Sequence, residues 1–174
     1  MTTRNTLLVA AGALTLTLAW YLFRPERLLL DTVVAESLEE AVAPGAFDTA
    51  STVPVALLQG NFRGVQHDAV GSATIYRLSD GTRVLRFTEF ATSNGPDLYV
   101  YMVAAGDAPD NESVERAGYV SLGRLKGNEG DQNYVLPEDL DFSRYRSVSV
   151  WCKRFAVNFA VAPLQVLAED EPQR

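Results

Sequence analysis

One thiol dominates the chemistry available to this chain. Cys152 is the only cysteine and stands in the run Trp151-Cys152-Lys153-Arg154-Phe155. The thiolate is the nucleophilic and metal-binding form of cysteine, and adjacent cations favour it. A lone cysteine excludes an intrachain disulfide, a CxxC dithiol and covalent c-type haem attachment. The one histidine, His67, lies in Asn61-Phe62-Arg63-Gly64-Val65-Gln66-His67-Asp68. A Cys/His pair supplies both axial positions of a haem iron, so Cys152 and His67 are candidate cofactor ligands and haem is the cofactor such a pair would hold. One cysteine and one histidine do not build a structural zinc site, and no nucleophile–base–orienter set is legible. Asn128, Glu129, Asp131 and Asn133 place several oxygen ligands close together, as a hard cation such as calcium requires. They lack the EF-hand spacing, and Gly, Asn and Asp at this density set turn geometry, so no metal site is assigned.

Both singled-out residues also have a plain structural reading. Period-two alternation puts Val148, Val150 and Cys152 on one strand face, with Ser147, Ser149 and Trp151 on the other. The valine face is the expected core, where a free cysteine behaves as a small hydrophobe. His67 reads equally as a hydrogen-bonded residue of a turn.

The elements that must position these groups are strands. Ser72 to Leu78 alternates, Asp80-Gly81 signals a hairpin turn, and Arg83 to Phe90 returns. Asn94-Gly95-Pro96-Asp97 is a second turn before the strand Leu98 to Val103, which sets Tyr99 and Tyr101 opposite Leu98, Val100 and Met102. Residues 107–117 read as a polar surface loop, Tyr119 to Leu125 as a short strand, and Lys126 to Asn133 as a tight loop. Glu138 to Arg146 holds one helical turn, and Val148 to Cys152 and Phe155 to Ala162 are the last strands. Short strands, frequent turns and no long helix after residue 55 point to an all-β fold, a β-sandwich of short antiparallel strands.

The chain before the sandwich reads differently. Leu7 to Phe23 is an uncharged apolar run with Arg4 before it, Arg24 and Arg27 after it, and Trp20 and Tyr21 near one end. It reads as an uncleaved transmembrane helix anchoring the chain, since Trp-Tyr-Leu-Phe-Arg-Pro lacks the small residues of a cleavage site. Leu30, Val33, Val34, Leu38, Ala41 and Val42 recur at helical spacing, which predicts a short amphipathic helix over residues 28–42. Residues 43–55 are a linker. The expected organisation is an anchor (1–27), an acidic stalk (28–55), a sandwich (56–168) and an acidic tail (169–174). The net charge of −7 argues against a nucleic-acid partner. That charge is uneven: residues 28–55 hold Asp31, Glu36, Glu39, Glu40 and Asp48 with no Lys or Arg, while residues 56–168 hold 11 basic and 13 acidic residues.

Gly95-Pro96-Asp97-Leu98-Tyr99-Val100, the run Leu122 to Pro137, and Ser147 to Pro163 with its Trp-Cys-Lys-Arg-Phe segment together resemble the DM13 domain family. The resemblance implies a β-sandwich and an extracytoplasmic electron-transfer role. It implies that Cys152 is the redox thiol or prosthetic-group ligand, and it matches a family pattern with a His shortly before a Gly and a strand. Two functions follow as expectations. The first is a membrane-anchored redox module facing a redox or surface-protein partner outside the cytoplasm. The second is a non-catalytic binding or adhesion module with Cys152 in its core.

Overall fold

The computed structural model describes residues 3–23, 30–38 and 53–167. Strands β1 (Val33–Ala35), β2 (Val55–Asn61), β3 (Arg63–Gly64), β4 (Ala69–Arg77), β5 (Arg83–Thr92) and β6 (Leu98–Val103) follow helix α1 (Thr3–Phe23). Helix α2 (Asn111–Ala117) separates them from β7 (Tyr119–Arg124), β8 (Glu129–Val135), β9 (Ser147–Cys152), β10 (Val157–Pro163) and β11 (Gln165–Val166). One sheet has the order β1-β8-β5-β4-β2-β11 and the other β3-β10-β9-β6-β7.

The sheets enclose one apolar core. Leu58, Ala73, Ile75, Leu85 and Phe87 of the first sheet meet Leu98, Val100, Met102, Val148, Val150, Cys152 and Ala160 of the second. Each such large side chain contributes ~1.5–3 kcal/mol on burial. The β4–β5 hairpin forms where alternation and Asp80-Gly81 placed it. Gly81 takes φ 87°, and the Asp80 carboxylate accepts the Thr82 N–H at 2.8 Å. The described domain is thus mostly β, two sheets over one core, with α2 between β6 and β7.

Several expectations need correction. The described part of the predicted helix over residues 28–42 is extended and includes β1, which pairs parallel to β8 as Val33↔Glu129, Val34↔Gly130 and Ala35↔Asp131; residues 28–29 and 39–42 lie outside the described residues. Hydrogen bonding to a sheet edge outweighs a helical spacing of six apolar residues, and the β-branched Val33-Val34 pair suits a strand. This pair also breaks the expected purely antiparallel pattern. The loop expected over 126–133 holds most of strand β8, hidden because two of its three buried side chains, Gln132 and Asn133, are polar, with Tyr134 the third. The loop expected over 107–117 contains α2, capped by Asp110, whose carboxylate accepts the Ser113 N–H at 2.7 Å.

The apolar run 7–23 is helical within α1, and Leu8, Leu14, Leu16, Leu18, Trp20 and Tyr21 are exposed. The expected span itself is not recovered: among the described residues no helix is long and apolar enough to cross a membrane.

A polar clamp fastens β1. The Glu36 carboxylate accepts Lys126 Nζ at 2.7 Å and the Asn133 N–H at 2.8 Å. Arg86 donates to the Glu36 carbonyl at 2.8 Å and pairs with Asp131 at 2.6 Å. Asn133 Nδ2 donates to the Ser37 carbonyl at 2.7 Å. Gly130 makes the approach possible, because a Cβ there would lie 1.9 Å from the Val34 carbonyl oxygen, and its φ is +95°. Gly130→Ala is therefore expected to destabilise by ~1–3 kcal/mol and to release β1. Thermal melting and amide exchange at residues 33–36 check it; unchanged protection there would refute the tight fit.

Candidate functional site

Cys152 ends β9, a strand buried along its whole length. Its lateral neighbours are Leu98 on β6 and Val157 on β10. The thiol is 0 % exposed and lies in the main core with Leu98, Val150 and Phe159. The alternation of β9 is realised as expected, with Val148, Val150 and Cys152 in the inter-sheet core and Trp151 in a second cluster on the outer face. The strand end is pinned by the Lys153 N–H, which donates to the Asp97 carbonyl at 2.9 Å.

The cations that follow Cys152 do not gather around it. Lys153 Nζ lies 5.4 Å from the Tyr99 ring centroid, and the pleat puts Tyr99 on the face opposite Leu98 and Cys152. Lys153 and Arg154 are exposed. Their charge sits on the outer side of the sheet, while the thiol sits in the apolar interior.

His67 is exposed and belongs to the segment that wraps β10 at its bulge. The Val65 and His67 N–H groups donate to the Phe159 carbonyl at 2.9 and 3.4 Å. The imidazole stacks on Phe159 at a centroid distance of 3.8 Å, and its Nδ1 is 2.7 Å from Ser93 Oγ. Phe159 is the only ring these contacts give it, and it is a member of the Cys152 core. The two candidate ligands therefore share a neighbour but no cavity: His67 lines a shallow hollow with Asp68, Ala69, Val70, Ala91, Thr92 and Ser93, and Cys152 does not. An axial-ligand pair must face one open slot, so the side chains as folded do not fit a haem held between them. Among the described residues no group of His, Cys, Asp and Glu is placed to hold a metal.

A cleft of 580 Å³ is lined by Leu98, the strand neighbour of Cys152. Leu30, Pro96, Leu98 and Leu125 give it apolar walls, and Asp31, Asn94, Arg124, Lys126 and Asn128 give it polar ones. Leu98 is both a wall of the cleft and the strand neighbour of Cys152. Gly95 packs over that wall: a Cβ there would lie 2.8 Å from Leu98 Cδ2 and 3.0 Å from Phe159 Cζ. Asn128 is buried and fully engaged, accepting the Thr32 N–H at 2.7 Å and donating to Asp31 at 2.9 Å and to the Thr92 carbonyl at 3.1 Å. The Asp131 carboxylate accepts from Arg86 and from the Glu89 N–H, and Asn133 Oδ1 accepts from Arg86. These oxygens, grouped in sequence like cation ligands, are committed to protein donors.

Sequence reasoning found Cys152 and its facing but missed the cleft. Asp31 and Thr32 were read as a helix, and only the fold brings them beside Asn94 and Asn128. The Gly95-Pro96 turn was visible, though nothing in it announced a residue packed over Leu98.

The family described as "DM13: Electron transfer DM13" has a model that matches residues 61–164. No curated protein and no solved structure matches the chain.

Two expectations follow. Cys152→Ser buries a hydroxyl among apolar groups and should lower stability by ~1–3 kcal/mol in urea melts; an unchanged midpoint would mean the thiol is not packed as described. Gly95→Ala must displace Leu98 and Phe159, and labelling of Cys152 by an aromatic disulfide reagent should speed up several-fold. Equal labelling rates would show that the Leu98 wall does not control access to the thiol.

Proposed function

Since the chain belongs to the electron transfer DM13 family, we propose that it is an electron-transfer module whose redox residue is Cys152, tethered by α1 to a membrane with the sandwich outside the cytoplasm. The observation that carries the reading is the position of Cys152, one strand neighbour away from a cleft through which a reductant or oxidant would reach it. On that side Leu98 forms the cleft wall, with the Gly95 turn packed over it.

The chemistry of a lone thiol limits the step. Oxidation of Cys152 to the sulfenic acid gives about two electrons to an acceptor, takes its oxygen from water and releases about two protons; a thiol donor reverses it in stages through a mixed disulfide. Both directions need Cys152 to be reached by a small molecule, so the rate follows the opening of the cleft wall. Oxidation of the closed thiol is slow by construction.

The tether rests on the uncharged run 7–23 within α1 and its exposed Leu8, Leu14, Leu16, Leu18, Trp20 and Tyr21. Apolar side chains of this number on one helix favour a lipid phase over water. The extracytoplasmic side follows from the family resemblance.

A second reading has its own observation in favour. Cys152 is 0 % exposed, as a structural cysteine is, and a sandwich with a polar-rimmed cleft suits a ligand-binding or adhesion module.

Anaerobic titration of the full chain with ferricyanide separates the two. The electron-transfer reading expects about two ferricyanide ions reduced per chain, a sulfenic-acid adduct at Cys152 by mass spectrometry, and neither in Cys152→Ala. A wild-type chain that reduces no more ferricyanide than Cys152→Ala leaves the binding module standing. The tether is checked by alkaline washing of membranes from expressing cells: the full chain is expected to stay in the pellet, and a chain lacking residues 1–27 to leave it.

A further inference from the structure

The turn that follows Cys152 differs electrically from the rest of the chain. Lys153, Arg154 and Phe155 form its tip, with Phe155 64 % exposed and Ala156 closing it at φ 52°. Beside it on the sheet, Arg124 lies over the Tyr99 ring at 5.2 Å and Lys153 over the same ring at 5.4 Å. Strand pairing sets Arg124, Tyr99 and Trp151 in one lateral row. The acid nearest this row, Asp97, is ion-paired to Arg124 at 2.8 Å and its side chain is only 20 % exposed. Among the described residues Lys153 and Arg154 have no ion-pair partner. A chain of net charge −7 thus presents two cations without an ion-pair partner among the described residues, Lys153 and Arg154, beside the exposed Phe155 at the turn that starts from its only thiol.

We propose that Arg124, Tyr99, Lys153, Arg154 and Phe155 form the docking surface for an acidic protein partner in electron transfer. The proposal deepens the redox reading of Cys152 and names the partner's chemistry: a carboxylate-rich face around an apolar spot that receives Phe155. Charge complementarity selects it. Redox encounters bury little surface and are steered by opposite charge rather than held by large apolar contacts. The remainder of the chain is acidic and repels such a partner, so the basic tip also orients it. A partner bound there stands over the end of β9, with Cys152 the residue directly before the contact.

Fluorescein-labelled polyglutamate serves as the probe, with the full chain in a zwitterionic detergent and binding read by anisotropy at low and high salt. The wild-type chain is expected to bind and to weaken steeply with salt. The double variant K153E/R154E should bind ~tenfold or more weakly, and Phe155→Ala should lose several-fold, with melting temperatures unchanged because all three side chains are exposed. Cys152→Ala should bind as the wild type does. Wild-type affinity in K153E/R154E, or no binding by the wild type, overturns the proposal. So does displacement of polyglutamate by vesicles containing an anionic phospholipid, which would make the patch a lipid contact. Docking that persists in a chain that fails to reduce ferricyanide removes the thiol's role and leaves the surface. Ferricyanide reduction without docking does the reverse.

Discussion

The covering of β9 on both faces is the constraint from which most of this structure follows. All of Ser147–Cys152 is buried, so the strand needs a partner layer above and below. The inner face meets the opposite sheet through Val148, Val150 and Cys152. The outer face carries Ser147, Ser149 and Trp151, and the two buried hydroxyls there would be costly without hydrogen-bond partners. Ser149 Oγ donates to Asn158 Oδ1 at 2.8 Å, and Asn158 Nδ2 donates to the Ala108 carbonyl at 2.9 Å. Ser147 donates to the Ala105 carbonyl at 2.9 Å. The segment between β6 and β7, with α2 and its buried Val114, is therefore a lid required by β9, not a free surface loop.

The aromatic cluster under that lid follows from the same demand. Tyr101 stacks on Tyr119 at 4.0 Å and lies 6.4 Å from Trp151. Burial first, and then the neighbouring Tyr119 phenol, pushes the Tyr101 hydroxyl up to about 12, so it is neutral across the physiological range. Tyr134, inside the main core, is raised by burial as well; its hydroxyl donates to Gln132 at 2.7 Å. The polar groups of this interior are closed on one another, which suits a rigid support for one thiol.

How much of this was legible depends on where the information resides. The β4–β5 hairpin and the facing of β9 are written locally, in alternation and turn residues, and both formed as read. Strand β8 was missed because Gly130, Asp131, Gln132 and Asn133 read as a turn, and some of their partners come from nearly a hundred residues away, such as Glu36 to Asn133. The β1 segment differs from its reading because six apolar positions, Leu30 to Val42, fit a helix, and only pairing with β8 makes Val33–Ala35 a strand. His67 and Cys152 were each noticed by residue type. Their separation, with Phe159 between a surface imidazole and an interior thiol, is a property of the bulge in β10 between Asn158 and Ala160, which no spacing rule encodes.

The parallel pair between β1 and β8 has a mechanical meaning. Chain order runs from α1 directly into β1 and only afterwards to β2. Tension applied through α1 reaches β1 before any other part of the sandwich. The load falls on the β1–β8 ladder and on the Glu36–Lys126 and Asp31–Asn128 links. β1 then works as a strain relief: the sandwich feels a pull at its β8 edge, beside the cleft, and its far strands are mechanically insulated from it.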